Sequence, residues 1–130
     1  MTFKKVFSTL LCALLLVAAV VPAYADSSDY DSHIDYGLGV RATSTSYLCS
    51  TYAKSTLQLS FVSGVNHMPQ SDYVARAEAF AIYYHGMVFE YDVGNMYAMA
   101  KAEPKNGKTV TSSAHNYTVN DNQVYYKTLP

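Results

Sequence analysis

Cysteine is scarce in this 130-residue chain, and its scarcity limits the ways in which a small domain can be stabilised. Of its two cysteines, Cys12 falls in an apolar N-terminal run, so Cys49 is the one left in the body of the chain. A lone thiol cannot form an internal disulfide, and the domain must be held together by packing and hydrogen bonding. Two roles stay open for Cys49, namely a small buried hydrophobe in a strand or a disulfide that joins two chains.

Sequence motifs that identify enzymes and metal proteins are also missing. No G-x-S-x-G nucleophile elbow is present, and none of the four histidines pairs with another at the short spacing of zinc ligands. A calcium loop beginning at Asp29 would need Gly at its sixth position and Glu at its twelfth, where the chain has Ile34 and Val40. We therefore expect no metal, no cofactor and no enzymatic activity.

Residues 1–25 have the layout of a secretory signal peptide. Two lysines precede an apolar run over residues 6–21, and an A-x-A cleavage site ends at Ala25. The run is short for a membrane span, and Pro22 with small residues follows it instead of a charge cluster. We expect cleavage after Ala25, secretion of residues 26–130 into the extracellular space, and no transmembrane segment in the mature chain.

The secreted part has a modest acidic excess and no basic stripe. It carries seven Lys and Arg residues against ten Asp and Glu residues, a formal charge of −3. This balance argues against a nucleic-acid partner and against a polybasic membrane patch. Four of the acidic residues fall within residues 26–35, which we predict to be a flexible acidic arm. Residues 36–130 are predicted to form one small domain with a modest core.

A period of two runs through the second half of the chain and predicts β-strands. Alanine takes every second place over residues 75–81 and again over residues 98–102. A helix over residues 73–84 is the competing interpretation, because Ala, Arg and Glu favour helix. The strict alternation favours a strand whose alanines form a small-residue face. Val74, Phe80 and Ile82, on the opposite parity, are then expected in the core.

Alternating segments elsewhere predict further strands, joined by turn-forming residues such as Asn106-Gly107. The Ser/Thr-rich residues 43–46 are expected to turn or bulge after the first strand. Because no segment of helix length is required, we predict an all-β fold, a small antiparallel β-sandwich. The alternative is an α+β fold, with residues 73–84 helical. The other predicted strands lie at residues 36–42, 55–62, 87–93, 96–103, 109–119 and 123–129.

Tyrosine is abundant, with 13 copies in the chain, and it favours a binding role. A small sandwich cannot bury all of these rings, so some must point outwards. An exposed tyrosine combines a stacking face with a polar tip, which suits glycans, peptidoglycan fragments or the edge of another sheet. We predict a binding face that contains Tyr91, Tyr97, Tyr117 and Tyr125.

Three segments are similar to parts of a known family. Residues 36–40 (YGLGV) with the Ser/Thr/Tyr-rich segment that follows, residues 100–102 (AKA) and residues 113–117 (SAHNY) resemble the lactococcin-type bacteriocins. That resemblance implies a secreted β-sandwich that recognises a cell-wall precursor at the septum of target bacteria. The chain departs from the family in lacking tryptophan, in its greater length and in an extra hairpin around His85-Gly86.

Three functional hypotheses follow. The first is a secreted, non-enzymatic binding protein that is bacteriocin-like and acts on the bacterial cell envelope through a cell-wall precursor or glycan. The second is a small secreted hydrolase that uses Glu90 and Asp92, which share one strand face roughly 7 Å apart. The third is a structural surface protein that self-associates through its sheet edges or through a Cys49 disulfide.

Overall fold

The computed structural model describes residues 26–130, and the predicted signal peptide lies outside the described residues. The described residues form eight strands and two three-residue 3₁₀-helices. Every strand pairing is antiparallel and the two sheets pack face to face, which confirms the predicted all-β sandwich. The strands are β1 (Ser27–Asp35), β2 (Val40–Leu48), β3 (Ala53–Phe61), β4 (Ala75–Tyr83), β5 (Gly86–Gly94), β6 (Tyr97–Ala102), β7 (Val110–Val119) and β8 (Asn122–Leu129), and the 3₁₀-helices are Gln70–Asp72 and Lys105–Gly107.

Each sheet contains four strands, and the chain crosses between the sheets. The strand order is β1-β2-β3-β6 in the first sheet and β5-β4-β7-β8 in the second. Strand β6 leaves the second sheet after β5 and returns to the first, beside β3. Across the sandwich, β4 therefore lies closest to β3 and β6, while β1 and β2 face β7 and β8.

Residues 73–84 contain strand β4, so the helical alternative is wrong. The strand pairs with β5 on one side and β7 on the other, which makes it central in the second sheet. Helix propensity is overridden here because a period of two buries the alanines on one face and both ladders satisfy the backbone.

The alanine face forms the core, and the larger side chains of β4 point outwards. The four alanines of β4 and the three of β6 are almost completely buried, and they face each other between the sheets. Alanine leaves little side-chain volume between the strands, so the sheets approach closely on this side of the sandwich. The expectation that Val74, Phe80 and Ile82 lie in the core is therefore wrong. Val74 is exposed just before β4, and Phe80 and Ile82 lie half-buried on the outer face of the second sheet.

Residues 26–35 are not a flexible arm. Strand β1 pairs with β2 along its whole length, from Ser27 opposite Leu48 to Asp35 opposite Val40. Its Asp29 accepts a hydrogen bond from the Tyr125 hydroxyl at 2.6 Å and lies 3.6 Å from the Lys127 ammonium. These contacts join β1 to β8 of the other sheet. The prediction failed because a run of Asp and Ser was interpreted as solvated, whereas the partners of its carboxylates come from the far end of the chain.

The predicted first strand begins four residues too early. Residues 36–39 form the turn between β1 and β2, and Gly39 has a φ of 73°. A Cβ at Gly39 would lie 2.1 Å from the Asn66 carbonyl oxygen, so glycine is required there. Residues 43–46 do not turn or bulge. They lie within β2, where Ser44 and Ser46 point into the core.

Two smaller expectations concern the Asn106-Gly107 turn and the cysteine. Asn106 and Gly107 both have positive φ, but they lie in the 3₁₀-helix between β6 and β7, which belong to different sheets, so the turn does not form a hairpin. Cys49 lies just after β2 rather than within a strand, and it is free and only partly exposed. Its Sγ lies 3.3 Å from the Thr51 hydroxyl. The prediction of a buried strand cysteine is therefore wrong, and the intermolecular disulfide stays a prediction.

Candidate binding face on the second sheet

The four tyrosines predicted to share a binding face lie in three different places. Tyr91 is exposed on the outer face of the second sheet, and Tyr97 is exposed on the outer face of the first. Tyr117 is completely buried between the sheets, and Tyr125 is half-buried against β1. The structure therefore brings no two of them together on one exposed surface. Only Tyr117 and Tyr125 are neighbours, with ring centroids 6.4 Å apart inside the sandwich.

Tyr117 is a core residue, so the prediction that it binds a ligand at the surface is wrong. Its hydroxyl donates to the Thr45 carbonyl oxygen at 2.8 Å and accepts from the Ser46 hydroxyl at 2.7 Å. Burial raises the pKa of this phenol above its ordinary value. The hydrogen bond to Asp29 raises the pKa of Tyr125 to about 12, because it favours the protonated phenol.

His115 forms a second buried polar cluster beside Tyr117. Ser55 donates to the Glu78 carbonyl oxygen at 2.7 Å, so its oxygen accepts from His115 Nδ1, also at 2.7 Å. Nε2 then accepts from the Ser113 hydroxyl at 2.7 Å. Burial lowers the pKa of His115 to about 4, which keeps the imidazole neutral. The pair of Ser113 and His115 has the spacing of a nucleophile and its base, but it is sealed from solvent and serves the core.

The outer face of the second sheet carries a row of apolar and aromatic side chains that no other described element covers. We call Phe80, Phe89 and Tyr91 the aromatic row. The Phe80 and Phe89 ring centroids are 4.6 Å apart, and those of Phe89 and Tyr91 are 6.0 Å apart. Met87 and Val93 extend the row along β5, with 55% and 47% of their surfaces exposed. An exposed apolar patch of this kind marks an interaction site in many proteins.

A row of hydrogen-bonded polar side chains, the polar row, lies beside the aromatic row. Arg76 Nε donates to a Glu78 carboxylate oxygen at 2.6 Å, and the Asn116 amide donates to the other oxygen at 3.0 Å. Gln123 Nε2 in turn donates to Asn116 Oδ1 at 2.5 Å. The Arg76 guanidinium also lies 4.1 Å from the centre of the Tyr91 ring, so it links the two rows. Each side chain is thereby held in one orientation before any ligand arrives.

A shallow groove of about 390 Å³ lies on this face, lined by Phe80 of the aromatic row and by Glu78, Asn116 and Gln123 of the polar row. Ala114 forms its floor because this small residue pairs with Phe80 on one side and with Thr128 on the other. The groove is open to solvent, and its walls combine apolar side chains with amide and carboxylate groups. Its lining residues are Glu78, Phe80, Ile82, Met87, Ala114, Asn116, Gln123 and Tyr126.

The carboxylates suggested for a hydrolase, Glu90 and Asp92, lie on the opposite side of β5 from the aromatic row and do not line the groove. Asp92 accepts a hydrogen bond from the Met99 backbone N–H at 3.0 Å. Because Met99 belongs to the edge strand β6, this contact satisfies a backbone donor that would otherwise face solvent. The geometry thus gives Asp92 a role in covering a sheet edge.

Sequence reasoning found Tyr91 and missed the other residues of this face. The signal was present in the parity of the two strands. Once the alanines of β6 place the alanines of β4 in the core, the residues between them must point outwards together with their cross-strand partners on β5. Asn116 and Gln123 carried no such signal, because their position depends on the pairing of β4 with β7 and of β7 with β8.

Comparison of the chain with protein-family models, curated proteins and solved structures finds no match. Within residues 26–130, no three His, Cys, Asp or Glu side chains cluster as metal ligands would. No helix in that part of the chain is long and apolar enough to cross a membrane. The candidate site therefore has to be judged on its own geometry.

Proposed function

We propose that this protein is a secreted, non-enzymatic binding protein whose groove on the second sheet holds a saccharide. The observation that carries the proposal is the aromatic row lying directly beside the pre-oriented polar row. A sugar ring has an apolar C–H face and a rim of hydroxyl groups, and it needs both kinds of contact at once. Phe80 in the groove, with Phe89 and Tyr91 beside it, offers ring faces, while Glu78, Asn116 and Gln123 offer acceptors and donors.

The length of the groove face suits an oligosaccharide better than a single sugar. From Arg76 to Ile82 the central strand β4 extends over about 20 Å, at roughly 3.4 Å per residue. An extended ligand that follows the strand direction would contact both rows along this distance. The open shape of the groove supports a chain that passes through it with both ends in solvent.

We further propose that the saccharide belongs to the bacterial cell envelope, as a peptidoglycan fragment or a cell-wall precursor. The signal-peptide pattern of residues 1–25 and the resemblance to lactococcin-type bacteriocins support this identity. Growth inhibition of related bacteria that added cell-wall precursor relieves would agree with a bacteriocin-like role. If the protein neither inhibits growth nor binds envelope fractions, this part of the proposal fails.

Replacement of two rings of the aromatic row, which lie beside the groove lining, tests the proposal. The double variant Phe89→Ala/Tyr91→Ala should bind soluble peptidoglycan fragments at least about tenfold more weakly, because it removes the stacking surface. Isothermal titration calorimetry measures the change. Tyr36→Ala/Tyr84→Ala is the matched control, since these tyrosines lie in turns and are 69% and 80% exposed. Equal affinities of both double variants would show that the aromatic row does not hold the saccharide.

A further inference from the structure

We propose that the outer face of the first sheet is a second binding site, which takes a linear, hydroxyl-rich polymer joined by phosphodiesters, that is, a polyol phosphate. This face, the cationic face, consists of the outward-pointing residues of β1, β2, β3 and β6. It lies on the opposite side of the sandwich from the groove. The inference does not depend on the groove binding a saccharide.

The charged side chains that point outwards on the cationic face are all positive. Its strands present Arg41, Lys54 and Lys101 and no outward-pointing Asp or Glu, in a secreted chain whose net charge is −3. Two carboxylates border one end of the face: Asp26 accepts from the Tyr47 hydroxyl, and Glu103 lies 3.7 Å from the Lys101 ammonium. A positively charged surface on a protein whose net charge is negative is complementary to an anionic partner.

Two of the cations lie directly opposite each other, which points to a bound anion. Lys54 pairs with Lys101 in the register of β3 and β6, and like charges in this position destabilise a sheet. The charge of Lys101 is partly compensated by the Glu103 carboxylate and by the Tyr52 ring, 4.4 Å from its ammonium. Lys54 has no carboxylate of any described residue within 4.0 Å. A phosphate between the two ammonium groups would turn their repulsion into attraction.

Most of the other outward positions on the cationic face carry hydroxyl groups, which fit the polyol part of such a polymer. Ser32 and Thr43 oxygens lie 3.4 Å apart, and Arg41 Nη1 lies 3.4 Å from the Ser32 oxygen. The hydroxyl side chains that point outwards on these strands are Ser28, Ser32, Thr43, Thr45, Thr56 and Ser60.

The spacing of the cations favours a polymer over a single small anion. Arg41 pairs with Ser60, six residues along β3 from Lys54, which separates the two cations by about 20 Å along the strands. One phosphate cannot reach both positions, whereas a chain with repeated phosphates and intervening hydroxyls can.

The same face is poorly suited to nucleic acid. Single-stranded nucleic acid is held by aromatic rings on which successive bases stack. The exposed rings here, Tyr30 and Tyr97, lie on the two edge strands β1 and β6, about 15 Å apart at roughly 4.8 Å per strand.

Binding of a poly(glycerol phosphate) oligomer to the purified protein tests the inference. The double variant Lys54→Gln/Lys101→Gln should bind the oligomer about five- to tenfold more weakly than the unchanged protein. Added salt should weaken binding of the unchanged protein, since exposed charges are screened. The matched control is Lys105→Gln/Lys108→Gln, which removes the same charge from exposed positions outside the sheet and should bind normally.

Three results would overturn the inference. The first is an unchanged affinity of Lys54→Gln/Lys101→Gln for the oligomer, and the second is an equal loss of affinity in the control variant. The third is that the unchanged protein binds a single-stranded oligonucleotide of the same charge as tightly as it binds the oligomer. A denaturation midpoint for the lysine variant that is no lower than that of the unchanged protein would exclude unfolding as the cause. Phe89→Ala/Tyr91→Ala should bind the polyol phosphate normally, so failure of the groove proposal and failure of this one are distinguishable.

Discussion

His115 shows how a single buried residue couples the core of this protein to pH. Its ring nitrogens have different hydroxyl partners, Ser55 at Nδ1 and Ser113 at Nε2, and this arrangement needs a neutral imidazole. A proton added at Nε2 would turn Ser113 from a donor into an acceptor and would place a charge between the sheets. Burial therefore holds the pKa near 4, against a small opposing effect of Asp29.

The stability of the protein should accordingly fall in mild acid. The unfolded chain takes up the His115 proton near its ordinary pKa of about 6.5, and the folded protein does so only near 4. The stability that neutral His115 contributes to the folded protein is fully present above pH 7 and is lost as the pH falls towards 4. Between pH 7.5 and pH 5 the free energy of unfolding should drop by about 2 kcal/mol.

The matched variant for this prediction is His115→Gln, which keeps hydrogen-bonding groups but does not titrate. Urea unfolding at pH 7.5 and pH 5 measures both proteins. The variant should be less stable at pH 7.5 because its contacts to Ser55 and Ser113 are altered. Its stability should change much less between the two pH values. An equal drop in both proteins would mean that His115 does not cause the acid sensitivity.

At the scale of the element, β4 determines both the thickness of the sandwich and the character of its outer surface. Its alanines let β3 and β6 approach, and the residues between them build the groove wall. The two faces therefore differ in their tolerance of added volume. A larger side chain has no space between the sheets, whereas on the outer face it extends into solvent.

The same substitution on the two faces tests this difference. Ala79→Leu adds volume between the sheets, in the core cluster that also contains Leu48, Ala100 and Val110, and should cost about 1–3 kcal/mol of unfolding free energy. Ala114→Leu adds the same volume to the groove floor and should change stability by about 0.5 kcal/mol or less. It should also weaken saccharide binding, because it fills the groove.

Chemical denaturation and calorimetric titration of the two leucine variants give these values. A stable Ala79→Leu protein would contradict the close approach of the sheets at β4. An Ala114→Leu protein with unchanged saccharide affinity would show that the ligand does not enter the groove.

At the scale of the whole molecule, the fold could be predicted from the sequence because apolar and polar side chains alternate with a period of two. The site could not be predicted in full, because it depends on which distant strands pair. Alternation over residues 75–81 sufficed to predict a strand, but it left open which parity faces inwards. Alanine is small enough for either side, and the answer depends on β6, whose alanines lie across the sandwich. The prediction that Tyr117 belongs to a binding face was wrong for the same reason, because Tyr117 is buried by contacts with Thr45 and Ser46 on the distant strand β2.

The acidic N-terminal segment illustrates a second limit. Local composition predicted a solvated arm over residues 26–35, yet Asp29 is held by Tyr125 and Lys127, nearly 100 residues away in sequence. Contacts between residues so far apart in sequence leave no signal in the local sequence. Strand β1 can therefore be recognised only from the assembled sheets. The same holds for the cationic face, where Lys54 and Lys101 meet through the register of β3 and β6.

The central claim is that the outer face of the second sheet binds a saccharide, and methionine methyl signals test it most directly. Met87 lines the groove, while Met99 is exposed on the opposite side of the sandwich and serves as an internal control. In protein labelled with ¹³C-methyl methionine, titration with a peptidoglycan fragment should shift the Met87 signal and leave the Met99 signal unchanged. A shift of Met99 alone, or no shift of either signal while the fragment binds, would contradict the account.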